Sequence, residues 1–197
     1  MEIRTLTLGI YQTNTYLVVN NNEVIVIDPV SKADRIQSLL NVNETIVGIC
    51  LTHGHFDHIG AVDDLVNIYH CPVYIHEDDL ELTQDPEKNY SQTKKIKLKS
   101  KLSVYSDRMK IQSIDFEVIH TPGHTKGSVC LMFENNLFTG DTLFKGSIGR
   151  TDLYGANPQE MKQSLRTLRS LNENYVIYPG HDGSTTLFDE LKRNPYL

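Results

Sequence analysis

The chain has 197 residues, 39% of them hydrophobic, and a net charge of −6. That size and apolar content describe a globular domain with a sizeable core and exclude a disordered chain. The acidic balance argues against a nucleic-acid footprint, which needs a basic face, and no apolar run approaches the ~20 residues of a membrane-spanning helix.

The first residues, Met-Glu-Ile-Arg-Thr, lack a cationic start followed by an apolar block, so no signal peptide is expected. The three cysteines, Cys50, Cys71 and Cys130, are scattered without disulfide or metal spacing. Cys50 and Cys130 lie in strand-like runs and read as small core residues. A reducing cytoplasm fits this usage, and one domain over residues 1–197 is expected.

Strands are expected at 3–8 and 15–19, parted by Gly9 and the polar Gln12-Thr13-Asn14. Asn20-Asn21-Asn22 is a turn cluster. The β-branched run 24–27 reads as a central strand that ends at Asp28-Pro29. Asp28 either supports a ligand histidine or stabilises its own turn. Residues 31–41 read as a helix with Ile36, Leu39 and Leu40 on one face, and 46–51 as a buried strand.

Then comes Thr52-His53-Gly54-His55-Phe56-Asp57-His58. Imidazole nitrogens and carboxylate oxygens suit Zn, Fe, Mn, Co or Ni. Four ligands this close cannot all reach one ion without severe strain, and two neighbouring ions share them better. Burying these side chains without a metal would leave unpaired polar groups. Residues 59–70 follow with a helical apolar period, so the heptad occupies a strand-to-helix turn at a strand's carboxyl end, where α/β folds place their sites.

A short strand at 71–76 and an acidic helix at 77–84 come next. His70 and His76 are read as non-ligands. Pattern is lost over 85–101, where Lys94, Lys95, Lys97, Lys99 and Lys101 cluster as a solvated loop face, or as a flap recruiting an anionic substrate. Strands are expected at 115–120, 127–133 and 137–138, the last two joined by a hairpin turn at Asn135-Asn136. A helix is expected over 158–171, with Asn157 as N-cap and Pro158 in the first position. A strand at 175–178 and a helix at 185–193 complete a layered α/β or α+β domain.

Three further Gly-containing turns follow strand-like runs: Thr121-Pro122-Gly123-His124, Thr139-Gly140-Asp141-Thr142 and Pro179-Gly180-His181. With the heptad they supply seven potential ligands, about what two ions need once a shared water is counted.

His53-X-His55-X-Asp57-His58 with His124, Asp141 and His181 resembles the metallo-β-lactamase superfamily over nearly the whole chain. The resemblance implies a four-layer αββα sandwich and two metals at the edge of its sheets. It assigns His53, His55 and His124 to one ion, Asp57, His58 and His181 to the other, and Asp141 to both. Class B β-lactamases are altered within this set, the common zinc subclass having Cys at the Asp141 position. Flavodiiron proteins have Glu at that of His55, and RNA-processing members usually carry extra domains.

The runs Gly140-Asp141-Thr142-Leu143-Phe144, Gly149-Arg150-Thr151-Asp152 and 121–128, with the ending Asn194-Pro195-Tyr196-Leu197, resemble the short bacterial glyoxalase II (hydroxyacylglutathione hydrolase) branch. Longer members add a C-terminal glutathione-binding helical domain, which is not expected here. They also tend to have Tyr at the position of Gly183. Arg150 matches a cationic glutathione-contacting position, or else makes a structural salt bridge.

The expectation is thus a binuclear metallohydrolase of thioesters, with S-lactoylglutathione or a similar acyl-thiol as its small-molecule partner, and neither nucleic acid nor membrane. Two divalent ions, zinc first, iron or manganese next, would share the attacking hydroxide, which Asp57 could also orient. The alternatives are a mononuclear-iron persulfide dioxygenase, whose branch matches the same residues, and a non-catalytic metal-binding scaffold.

Overall fold

The computed structural model describes residues 1–91 and 93–197. Its first six-stranded sheet runs β1 (Glu2–Leu8), β2 (Thr13–Asn20), β3 (Glu23–Ile27), β4 (Thr45–Cys50), β5 (Val73–Ile75), β6 (Leu102–Val104). The second runs β14 (Thr185–Thr186), β13 (Val176–Pro179), β10 (Asn136–Gly140), β9 (Val129–Phe133), β8 (Ile114–His120), β7 (Arg108–Ile111). A ribbon of β11 (Leu143–Phe144) and β12 (Ser147–Ile148) follows β10. The helices are α1 (Ala33–Gln37), α2 (Phe56–Ile59), α3 (Val62–Tyr69), α4 (Leu80–Gln84), α5 (Pro158–Arg169) and α6 (Leu187–Arg193).

The layering follows from the period of two along each strand. Leu17 and Val19 of β2, with Val24 and Val26 of β3, face Ile36 of α1, Ile59 of α2 and Leu65 of α3. The alternate residues Tyr16, Val18, Ile25 and Ile27 face the second sheet, where Phe116, Leu131, Phe133 and Phe138 meet them. Beyond that sheet, Cys130 and Leu137 pack on Met161, Leu165 and Leu168 of α5 and Leu187 of α6. Three apolar slabs separate four layers, helix–sheet–sheet–helix, as expected.

Several elements differ from the sequence reading. The helix over 31–41 is one turn, Ala33–Gln37, which loosens into three-residue turns at Leu39 and Leu40. The helix over 59–70 starts earlier, at Phe56, so Asp57 and His58 are in its first turn. It then breaks at Gly60-Ala61, where a Cβ on Gly60 would lie 2.3 Å from the Val30 carbonyl oxygen. The acidic segment is a 3₁₀ turn, Glu77–Asp79, leading into α4. The hairpin turn lies at Glu134-Asn135, one residue early, with Glu134 at φ 51°. β14 occupies the start of the expected last helix.

Strands β6, β7, β11 and β12 lacked a readable apolar run. Thr13 and Asn14, read as turn, are buried at the start of β2. Asn157 caps α5, accepting from the amides of Gln159 and Glu160. All three cysteines are buried and unpaired. No helix of the described residues is long and apolar enough to cross a membrane.

The lysine-rich run is a pinned ribbon. The Leu98 amide donates to Thr83 O, and the amides of Lys99 and Ser100 donate to the Asp63 carboxylate. Leu98 is buried while Lys94, Lys95, Lys97, Lys99 and Lys101 are exposed, which matches the solvated-face reading.

Phe133 anchors the central slab, stacked on Phe116 at 4.5 Å and edge-on to Phe138 at 5.6 Å. Phe133→Ala should cost about 3–5 kcal/mol of stability, read from the shift of a urea unfolding midpoint.

Candidate metal centre

Strand ends bring the expected ligands to one edge of the sandwich. Asp28 follows β3, His53 to His58 follow β4, His124 follows β8, Asp141 follows β10 and His181 follows β13. Gly140 and Gly180 permit the approach. Gly140 sits at φ +47°, where a Cβ would lie 2.4 Å from Thr52 Oγ1. A Cβ on Gly180 would lie 2.3 Å from Asp141 Oδ1 and 2.8 Å from His58 Cε1.

The donors fall into two groups. One donor atom each from His53, His55 and His124 lies within 4.8 Å of the other two, and the same holds for Asp57, His58 and His181. Asp141 touches both groups: Oδ2 is 3.4 Å from His124 Nε2 and 3.4 Å from His181 Nε2, while Oδ1 is 3.5 Å from His58 Nε2. His181 and Asp57 are the more open members, their side chains 21% and 16% exposed, against 0% for His58.

Hydrogen bonds behind the rings fix which nitrogen faces inward. Carbonyls only accept, so His124 Nδ1 donates to Arg150 O at 2.9 Å and His181 Nδ1 donates to Tyr11 O at 3.0 Å. His58 Nδ1 donates to Asp28 Oδ2 at 2.9 Å. The Thr52 hydroxyl donates to Asp28 Oδ2 at 2.6 Å, so its oxygen accepts from His53 Nδ1 at 3.0 Å. Four rings thereby turn Nε2 to the centre.

His55 Nδ1 lies 2.9 Å from the bare His124 Nε2. Nε2 of His53, His55 and His58, with Asp141 Oδ1, are buried without a hydrogen-bond partner among the described residues. Each orphaned group costs about 1–3 kcal/mol. Unpartnered buried ring nitrogens and two carboxylates fit bound cations, and the donor set suits zinc, iron or manganese.

Asp28 also lies within ligating distance of His53 and His58. Its oxygens, however, are occupied by the Thr52 amide at 2.8 Å, the Thr52 hydroxyl and His58. It therefore supports two histidines, one of the two roles expected for it.

Asp79 was missed as a scaffold, for an acid in an acidic run carries no distinguishing signal. It is fully buried and accepts from the Gly54 amide at 2.8 Å, Thr125 Oγ1 at 2.8 Å and the Gly127 amide at 2.7 Å. It thus ties the His53–His55 turn to the loop bearing His124. Burial pushes its pKa up. Thr13 was missed as well; its hydroxyl donates to Asp57 Oδ2 at 2.8 Å.

The Arg150 guanidinium pairs with Asp152 through two bonds of 2.7 Å at the surface. His76 stands apart, stacked on His120 at 4.0 Å, and His70 is an exposed residue ending α3.

Electrostatics follow from this packing. Burial, then the neighbouring histidines, holds His53 and His55 well below the ordinary imidazole pKa. Burial opposes charge on His58 too, but Asp57, Asp141 and Asp28 outweigh it and raise its pKa to about 10. Asp141 is buried, yet His58, His181 and His124 hold it well below the usual carboxylate range.

The family model of the metallo-beta-lactamase superfamily matches residues 8–181. The chain is 32% identical to a probable metallo-hydrolase, YqgX, of Bacillus subtilis, covering 100% of this chain and 98% of that one. It is 32% identical to the hydroxyacylglutathione hydrolase GloC of Haemophilus influenzae, again over 100% and 98%. Among solved structures, BLEG-1 B3 metallo-beta-lactamase superposes with TM-score 0.93 at 36% identity, over 100% of this chain and 99% of that one. TTHA1623 in a di-iron-bound form gives 0.89 at 36% identity, over 98% and 100%. ETHE1 from Myxococcus xanthus gives 0.80 at 27% identity, over 99% and 84%. The chain belongs to the metallo-β-lactamase superfamily.

Two outcomes test the centre. With its pKa raised from 6.5 to about 10, His58 holds a proton at pH 8 in ion-free protein. That bond stabilises the ion-free fold fully below pH 6.5 and is lost as pH rises through about 10. Loading at pH 8 should release about one proton from this ring, read calorimetrically in buffers of different ionisation enthalpy. Asp28→Asn should weaken ion affinity about 10–100-fold in a chelator competition.

Proposed function

We propose that this member of the superfamily is a metal-dependent hydrolase of thioesters, S-lactoylglutathione or a similar acyl-thiol, using two divalent ions. The observation that carries the reading is the two donor groups joined at Asp141, each with bare or anionic donors facing inward. Full-length similarity to a hydroxyacylglutathione hydrolase supports the substrate class. A small thioester is the expected partner, rather than nucleic acid or membrane, and the cytoplasm the expected location.

His53, His55 and His124 would hold one ion, Asp57, His58 and His181 the other, with Asp141 between. Zinc suits this nitrogen and oxygen set, and the di-iron form of TTHA1623 supports iron as an occupant. Such ions supply Lewis acidity and a water acidic enough to attack at neutral pH.

The chain's own residues orient and hold. Thr13 donates to Asp57 Oδ2 and so fixes the carboxylate beside His181. Asp28 fixes His58 directly and His53 through Thr52. Arg150 O and Tyr11 O keep the protons of His124 and His181 on the outer nitrogens. Substrate enters on the open side, past Asp57 and His181. The leaving thiol has an ordinary pKa of ~8.5, so it departs as thiolate without a dedicated acid.

The test is metal analysis combined with a thioester assay in air and without oxygen. Thiol release independent of oxygen supports the reading. Oxygen uptake with a persulfide substrate would replace it by the dioxygenase alternative. β-Lactam cleavage without thioester cleavage would replace it by the activity named for BLEG-1. Asp57→Ala and His55→Ala should each lose turnover and bound metal together, and full activity in either variant would refute the ligand assignment.

A further inference from the structure

Tyr90 has a left-handed backbone, φ 65°. Bulky side chains avoid that region, and one is held there only where its surroundings over-determine it. Its neighbours leave it no alternative. Asn89 is fully buried, its side-chain amide donating to Leu82 O and Ile96 O, each at 2.9 Å. The Ser91 amide donates back to Asn89 Oδ1 at 3.0 Å. The Asn89 carbonyl accepts from the amide of Phe56, the residue between His55 and Asp57, at 3.1 Å.

What the strain achieves is a position. The Tyr90 ring meets the His55 ring edge-on at 5.6 Å and 71°. Its hydroxyl oxygen accepts from the Tyr154 amide at 2.5 Å, which fixes the ring from the far side. Beyond His55, the Phe56 ring meets the Tyr11 ring edge-on at 5.9 Å, and Tyr11 is 58% exposed. Two of the nearby cations have partners: Arg150 is held by Asp152, and Lys88 is paired with Glu81 and lies over the Tyr154 ring. This side of the centre therefore offers aromatic surface, with two of its cations already paired.

We propose that Tyr90 is a specificity-determining residue whose ring forms the wall beside His55 and packs on a flat, apolar acyl group. The identity of that group as an acyl group rests on the thioester reading; the aromatic wall itself does not. A phenyl-bearing substrate gains from offset or edge contact with the ring beyond plain burial, whereas a small hydroxyacyl group gains little.

The experiment uses metal-loaded full-length protein and two thioethers that no hydrolase cleaves, S-benzylglutathione and S-methylglutathione. Their common handle cancels in the ratio of dissociation constants. Wild type should favour the benzyl compound at least tenfold. Tyr90→Phe should keep that ratio within twofold, and Tyr90→Ala should abolish it. The strain has its own readout: Tyr90→Gly should unfold at a higher temperature than Tyr90→Ala, the reverse of the usual order.

Equal or undetectable binding of both thioethers by wild type overturns the proposal. So does an unchanged ratio in Tyr90→Ala, or a Gly variant that unfolds before the Ala variant. Hydrolysis of S-benzoylglutathione and S-lactoylglutathione is measured in parallel. If neither is cleaved, the thioester reading fails while the thioether ratio still decides the role of Tyr90.

Discussion

One buried carboxylate organises the centre. Asp28 accepts from the Thr52 amide, the Thr52 hydroxyl and His58 Nδ1, and through Thr52 it also sets His53. A buried charge is tolerated only when its lone pairs are satisfied. Satisfying them here forces two imidazoles to carry their protons on the outer nitrogen. Their inner nitrogens then face Asp141 and one another without partners. The cost of orphaned polar atoms is accepted at one place in the fold because a cation removes it.

The sandwich explains how distant segments reach this arrangement. β3 and β4 are parallel, as are β10 and β13, so their carboxyl ends open on one edge. Asp28, the heptad, Asp141 and His181 leave from those four ends. The sheets are joined beneath them by apolar packing and across the edge by Asp79, which bonds to both the Gly54 turn and the His124 loop. Slippage of either sheet would part the donors, so the aromatic slab around Phe133 bears on the chemistry as well as on stability.

Part of the backbone strain lies at the site. Ten described non-glycine residues have positive φ, and four of them, Gln12, Asp28, Tyr90 and Asp182, border the centre. Asp28 bonds to the His58 ring, Tyr90 lies against that of His55, and Gln12 and Asp182 adjoin Thr13 and His181. Such conformations persist only where surrounding contacts over-determine them. The clasp of Asn89 on α2 is one such set of contacts.

Strands β1 to β5, β8 to β10 and β13, the capped helix α5 and the seven donor positions were legible in the sequence. Each depends on local signals: period-two apolarity, a cap next to a proline, and His, Asp and Gly on turns after strands. Asp28 was also visible, though with two roles open, and its contacts in the fold select the histidines. Thr13, Asn14, Asp79 and Tyr90 were not legible. A threonine in a polar turn, an acid among acids and a tyrosine in a patternless stretch acquire meaning only from what folds against them. Nor did the sequence show which nitrogen of each ring faces inward. That is set by a carbonyl or carboxylate behind the ring, brought there from another strand or loop.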